Sequence, residues 1–147
     1  MTDVLTPAQR SRCMSRIRSK NTRPEKKIRQ ELHALGFRYR LHSRKLPGTP
    51  DLVFPKAKVA IFVHGCFWHM HNCPLGRVVP QNNANFWATK REGNINRDKR
   101  NMSSLRRLGW KTVTVWECKC RRQQSFKRQI RKIMSYLSRG NDKLPER

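Results

Sequence analysis

The chain predicts an α/β domain: a mixed β-sheet flanked by helices. Three observations carry that prediction. Two apolar segments at 52–54 and 59–63 are separated only by Pro55, Lys56, Ala57 and Lys58, a connection short enough for a hairpin. Amphipathic helical patterns precede these strands, follow them, and recur after a last strand at 110–116, giving helix, strands, helix, strand, helix. At 147 residues the chain is long enough for one domain with its own core.

In order, Thr6, Pro7 and Gln9 carry helix-start signals. The segment that follows is basic at positions 10, 12, 16, 18 and 20, with Met14 and Ile17 among few apolar residues. It cannot bury a wide apolar stripe, so residues 1–20 are expected to form a basic arm that orders on DNA, with a frayed, solvated N-terminus as the alternative. Thr22, Arg23, Pro24 and Glu25 repeat the capping pattern at the start of the main domain, 21–140. Ile28, Leu32 and Leu35 then fall at helical spacing up to Gly36, and Glu25 is read first as the acidic partner of a capping box.

Residues 37–41 alternate apolar and basic, as in a strand with one face buried. Leu46, Pro47, Gly48, Thr49 and Pro50 form a turn, and Asp51 stands just before the strand 52–54. Hairpin pairing of that strand with 58–63 brings Asp51 near His64. A carboxylate there must be hydrogen-bonded, solvated or on a cation.

Residues 74–85 are polar and irregular, a loop; 85–108 are helical with an interruption expected near Gly93. Trp87, Ile95, Met102, Leu105 and Leu108 supply an apolar face, Asp98 reads as a solvated acid amid basic neighbours, and Gly109 ends the helix. The strand 110–116 runs into Glu117, Cys118, Lys119 and Cys120. Phe126, Ile130, Ile133 and Leu137 mark a closing amphipathic helix that stops at Gly140, before a polar tail at 141–147.

With 34 Lys and Arg against 9 Asp and Glu, the net charge is +25, which points to nucleic acid as the partner. No apolar run approaches the ~18 residues of a membrane span, and residues 1–9 lack the apolar core of a signal peptide. An intracellular chain is expected, whose five cysteines are thiols or metal ligands rather than disulfides.

The chemistry concentrates at 64–73, where His64, Cys66, Phe67, Trp68, His69, His71 and Cys73 follow the end of a buried strand. Cys66, His71 and Cys73, with Cys118 from another strand end, could form a closed Cys₃His zinc site, and Cys120 is an alternative fourth ligand. Free cysteines packed in the core are the plainer explanation. His64 and His69 are left beside Asp51. A carboxylate that holds Mg²⁺ and a neutral imidazole that takes a proton from water suit phosphodiester hydrolysis.

Together with Gly48-Thr49-Pro50-Asp51, Asn94 to Arg100 with Arg97-Asp98, and Leu108-Gly109-Trp110 through Glu117-Cys118, this stretch resembles the very-short-patch repair endonucleases from about residue 6 to residue 118. The resemblance implies a restriction-endonuclease-like fold and nicking of duplex DNA 5′ to the thymine of a T·G mismatch, the deamination product of 5-methylcytosine. It implies that Asp51 and the Val63 carbonyl ligate Mg²⁺, and that His69, assisted by Asp98, activates water. His64 would bind the metal's water or the phosphate, with Glu25 behind them. Cys66, His71, Cys73 and Cys118 would hold Zn²⁺, while Phe67 and Trp68, with Met14 from the arm, would wedge beside the mismatch. The implied setting is a bacterial cytoplasmic monomer on the nucleoid, without membrane and with other mismatch-repair proteins as candidate partners. Two departures stand out: the strand ending in Phe62-Val63-His64 lacks the acid-x-Lys pattern of the wider nuclease superfamily, and the segment after Cys120 matches least. The alternative from another class is a zinc-stabilised, non-catalytic module that recognises distorted duplex. A His-Asn-His type nuclease is disfavoured for want of a ββα pattern around these histidines.

Overall fold

In the computed structural model the described residues are 21–140, so the basic arm with Met14 and the polar tail lie outside them. Thr22 caps α1 (Arg23–Ala34), its hydroxyl accepting the Glu25 N–H at 3.4 Å, and Pro24 stands in the first turn. Glu25 reaches back, but to the amide of Asn21 at 2.8 Å rather than to Thr22. Ile28 and Leu32 are fully buried, each contributing about 1.5–3 kcal/mol by leaving water.

The expected strand at 37–41 shortens to β1 (Arg40–Leu41). Phe37 still packs edge-on against Phe54, and so does Tyr39, but β2 (Leu52–Phe54) is only three residues long and the ladder ends at the Arg40–Val53 pair. β2 and β3 (Val59–His64) form the antiparallel hairpin read from the short connection. β4 (Lys111–Trp116) then pairs with β3 in parallel, giving a mixed sheet of order β1-β2-β3-β4. A 3₁₀ turn (Glu117–Cys120) leads to α3 (Gln123–Gly140).

The connection from β3 to β4 contains α2 (Ala84–Arg107), which is continuous through Gly93. Glycine in a helix costs only about 1 kcal/mol relative to alanine, and side chains from both flanks of Gly93 anchor this helix, as described below. Leu108 is the second correction: it is 55% exposed, because the helix has ended and the chain turns at Gly109, φ +85°.

Alternation along β3 sorts the layers. Val59 and Ile61 join the main core with α1 and α3, while Ala60 and Phe62 pack against Leu105 and Met102 of α2. His64 shares the parity of Ala60 and Phe62 and so emerges on the α2 side. At about 1.5 Å per residue, the 24 residues of α2 extend some 36 Å, nearly twice the roughly 20 Å of the six-residue strands β3 and β4 beneath it. Its first half therefore projects beyond the sheet, over the loop that follows His64.

Candidate functional site at the end of β3

One face of α2 builds much of the site. Trp87, Arg91, Asn94, Asp98, Met102 and Leu105 follow steps of three or four residues and so share a stripe. Its chemistry changes along its length: Leu105 and Met102 cover the sheet, and beyond the strand ends the stripe turns polar and aromatic.

Asp98 Oδ2 lies 2.5 Å from His69 Nδ1. Asp98 is therefore not the solvated surface acid suggested by its basic neighbours. With a carboxylate as acceptor, Nδ1 carries the ring proton and Nε2 is left as the basic atom. The His69 ring stacks on His64 at 3.8 Å, nearly parallel. His64 is 5% exposed and its Nδ1 is buried without a hydrogen-bond partner. Burial, then the neighbouring His69, holds His64 down to about 4, so it is neutral at pH 7.

Asp51 lies in a different set. Its Oδ2 accepts the Val63 N–H at 2.7 Å, and its own amide donates to Ile61 O at 2.9 Å. The ligand atoms it joins within 4.8 Å are those of Glu25 and His42, whereas His64, His69 and Asp98 form a second such set. The expected meeting of Asp51 with the two histidines is thus a pair of clusters around the end of β3: one on the hairpin side with α1, one on the α2 side. Glu25, 1% exposed, is held by His42 Nε2 at 2.8 Å and by Arg29 at 3.2 Å. Burial pushes the Asp51 carboxyl up to about 7; the Val63 amide pulls it down and the adjacent Glu25 adds to the rise. Two carboxylates confined together with an imidazole fit a divalent cation, whose charge removes the repulsion between them.

The sequence reading missed His42. Pairing β1 with β2 would have found it, since Leu41 lies opposite Leu52 and the His42 amide donates to Asp51 O at 3.1 Å.

The cysteines converge as a Cys₃His set. Ligand atoms of Cys66, His71, Cys73 and Cys118 all lie within 4.8 Å of one another. His71 Nδ1 is 3.8 Å from Cys66 Sγ and 3.5 Å from Cys118 Sγ, close to the ~3.6 Å edge of a tetrahedron with zinc–sulfur and zinc–nitrogen bonds of ordinary length. The amides of Cys118 and Gly76 donate to Cys66 Sγ and Cys73 Sγ, both at 3.4 Å, as thiolate ligands require. Burial pushes the Cys66 thiol up to about 12, so a cation must supply the charge that would make it a thiolate. His71 is held down by burial and by Lys119, which keeps its nitrogen free to ligate. The donor set fits zinc. Cys120 is not part of it: the strand ends at Trp116, and in a 3₁₀ turn residues two apart point in different directions, sending Cys120 into the main core.

A close approach fixes this loop. A Cβ on Gly76 would sit 1.9 Å from His71 O, so no other residue fits there.

Phe67 and Trp68 are half-buried rather than free-standing, because Trp87 packs against both at 5.6 Å. Asn94 Nδ2 donates to Trp68 O at 3.0 Å. Arg91, 3% exposed, donates to Phe67 O at 2.7 Å, Val78 O at 2.8 Å and Gly76 O, and its guanidinium lies over the Phe67 ring at 4.4 Å. Arg91 thus ties the aromatic turn and the long loop to α2. Its signal in the sequence is its place four residues after Trp87 and seven before Asp98 on one stripe. Replacing Arg91 with Met leaves one buried and two part-buried carbonyls without their donor, so we expect a loss of about 2–4 kcal/mol in urea unfolding. Arg91→Lys should recover less than half of it, since a point ammonium cannot span three acceptors. An Arg91→Met protein as stable as wild type would refute the clamp.

Among the described residues no helix is long and apolar enough to cross a membrane. Residues 2–75 match the family model described as DNA mismatch endonuclease Vsr. The type II nicking enzyme V.XorIIP of Xanthomonas oryzae is 45% identical over 134 residues, covering 91% of this chain and 98% of the relative. The type II nicking enzyme V.NmeAIP of Neisseria meningitidis is 38% identical over 91% of this chain and 95% of its own length. For the DNA mismatch endonuclease Vsr of Escherichia coli the values are 40%, 86% and 80%.

Proposed function

The chain belongs to the DNA mismatch endonuclease Vsr family, and from that membership we propose that it nicks one strand of duplex DNA 5′ to the thymine of a T·G mismatch, by Mg²⁺-dependent phosphodiester hydrolysis. Its four-stranded mixed sheet is read as a restriction-endonuclease-like core. The observation that carries the proposal is the Asp98–His69 pair, stacked on neutral His64 and adjoining the Phe67–Trp68 turn.

Asp51 and the Val63 carbonyl would hold Mg²⁺, with Glu25 behind them. Bound there, the ion supplies positive charge against the phosphate. His69 Nε2 takes a proton from the attacking water, and Asp98 stabilises the imidazolium that results. Because His64 is neutral, the new charge on His69 meets no cation across the 3.8 Å stack. The unpartnered His64 Nδ1 is available to a phosphate oxygen or a water.

Phe67 and Trp68 enter the base stack beside the mismatch, joined in the proposal by Met14. A wobble pair stacks poorly, so unstacking costs less there than in matched DNA, and recognition follows from deformability. Zn²⁺ on Cys66, His71, Cys73 and Cys118 would hold this turn rigid.

The test is a denaturing gel of T·G and matched duplexes with and without Mg²⁺. Product is expected only from the T·G strand with Mg²⁺. Tight mismatch binding indifferent to Mg²⁺, with no product, would favour the non-catalytic module instead. Trp68→Ala should reduce discrimination between T·G and matched duplex by about 1–3 kcal/mol, read as the ratio of the two dissociation constants. Equal weakening on both duplexes would count against a wedge.

A further inference from the structure

The outer side of α3 carries a cationic stripe to which the proposed nicking mechanism assigns no role. Between Cys118 and Asn141 the sequence holds eight Lys or Arg and no Asp or Glu. Phe126, Ile130, Ile133 and Leu137 of α3 are buried against the sheet, whereas Lys127, Arg128, Arg131 and Lys132 are exposed on the other side. Lys127 and Arg131 are four residues apart, as are Arg128 and Lys132, so the four charges are neighbours on the helix surface. Like charges at that spacing repel and weaken a helix. A polyanion laid along the stripe turns this repulsion into attraction.

The stripe continues into a groove of about 620 Å³ between α1 and the start of α3, lined by Lys27, Arg121 and Lys127 with Glu31 as its one carboxylate. Lys27 is committed to the Cys120 carbonyl and the Phe126 ring. Arg121 and Lys127 are therefore the groove's contribution to the cationic surface.

The position of this surface decides what it can take. α3 and α1 cover the sheet face that carries Val59 and Ile61. The His69–Asp98 pair and the Phe67–Trp68 turn are fastened to α2, on the opposite face, and the Asp51–Glu25 set adjoins only the first turn of α1 at the end of β3. A duplex engaged by the turn is separated from the outer side of α3 by the sheet and the α1–α3 layer. Duplex DNA carries about one negative charge per 1.7 Å of axis, a density that matches closely spaced cations on a helix.

We propose that the exposed face of α3 is a second DNA-binding surface, which grips the phosphate backbone of a duplex segment other than the one in the nicking site, so that one chain bridges two segments. The inference rests on the reading that the chain acts on DNA and adds a second place where it does so. Such a grip carries no sequence information; it would keep the protein on DNA while the aromatic turn samples base pairs.

The experiment uses the full chain, a T·G duplex on beads and a free, labelled matched duplex, with capture of the label measured without Mg²⁺. Wild type should capture it. The variant with Lys127→Gln, Arg128→Gln, Arg131→Gln and Lys132→Gln should capture about ten-fold less, with a log–log salt slope smaller by about 3. It should nick a short T·G duplex with Mg²⁺ at the wild-type rate. The positions are exposed, so thermal unfolding should not suffer, and Lys127→Gln with Arg131→Gln alone should give intermediate capture. No capture by wild type, or equal capture by the four-fold variant, overturns the second surface; nicking that falls together with capture overturns it too, by showing a single continuous site. If neither protein nicks but capture behaves as expected, the nicking proposal fails and the second surface stands.

Discussion

Asp51→Asn should lower the single-turnover nicking rate on a T·G duplex by at least about 10³-fold, the equivalent of about 4 kcal/mol in the barrier, while leaving duplex affinity within a few-fold. The amide is nearly isosteric and can still accept the Val63 N–H, so the hairpin should be undisturbed. What it cannot do is carry the charge that holds the cation. The same substitution makes a pH prediction of definite sign. The folded Asp51 carboxyl is pushed from 3.8 up to about 7, so ionising it is harder in the folded chain than in the unfolded one. Relative to Asp51→Asn, wild type free of Mg²⁺ should therefore lose stability as pH rises from 3.8 to about 7. The mutant should unfold at a higher temperature above pH 7, and the two should converge towards pH 4. Added Mg²⁺ should stabilise wild type and leave the mutant unmoved. Wild-type nicking by Asp51→Asn would remove Asp51 from the site.

Losing zinc should have a larger structural effect. A structural zinc contributes on the order of 10 kcal/mol to folding, comparable with the whole stability of a small domain. Metal analysis of purified protein should give one zinc per chain. Cys66→Ser or a strong chelator should produce a chain that unfolds at much lower temperature and neither binds nor nicks. Replacement of zinc by Co²⁺ should give thiolate-to-metal charge-transfer absorption, lost in Cys118→Ser and retained in Cys120→Ser. That pair of variants is the decisive control. Cys120 is buried in the main core, so Cys120→Ser should cost packing without cost to metal stoichiometry. A metal-free wild type with native stability would sink the Cys₃His assignment.

Comparison of these elements shows which parts of the site local signals can announce. The cap at Thr22 is satisfied within three residues, and the β2–β3 hairpin is closed by four residues between its strands. Both were legible because the groups that satisfy each other are near in sequence. The Cys₃His set was half legible: Cys66, His71 and Cys73 lie in one short loop, but the choice of Cys118 over Cys120 depended on where β4 stops. Arg91 was not legible, and Asp98 was legible only through the family resemblance, which paired it with His69. Asp98 finds His69 29 residues away and Arg91 finds Phe67 24 residues away, and both contacts require α2 to overshoot the sheet on a particular face. Residue type gave no hint, since acids and arginines on helices usually face water.

The α/β class, the hairpin, the strand end at which histidines and cysteines collect, and a charge suited to nucleic acid were all readable from residue order, because periodicity, capping and composition act over a few residues or over the whole chain. Tertiary packing alone put Asp51 in one set with Glu25 and His42, and it brought about the direct His69–Asp98 contact that the resemblance implied. Which side chains meet around the end of β3 depends on strand parity and on the path of α2 across the sheet, and those follow from how complete layers pack.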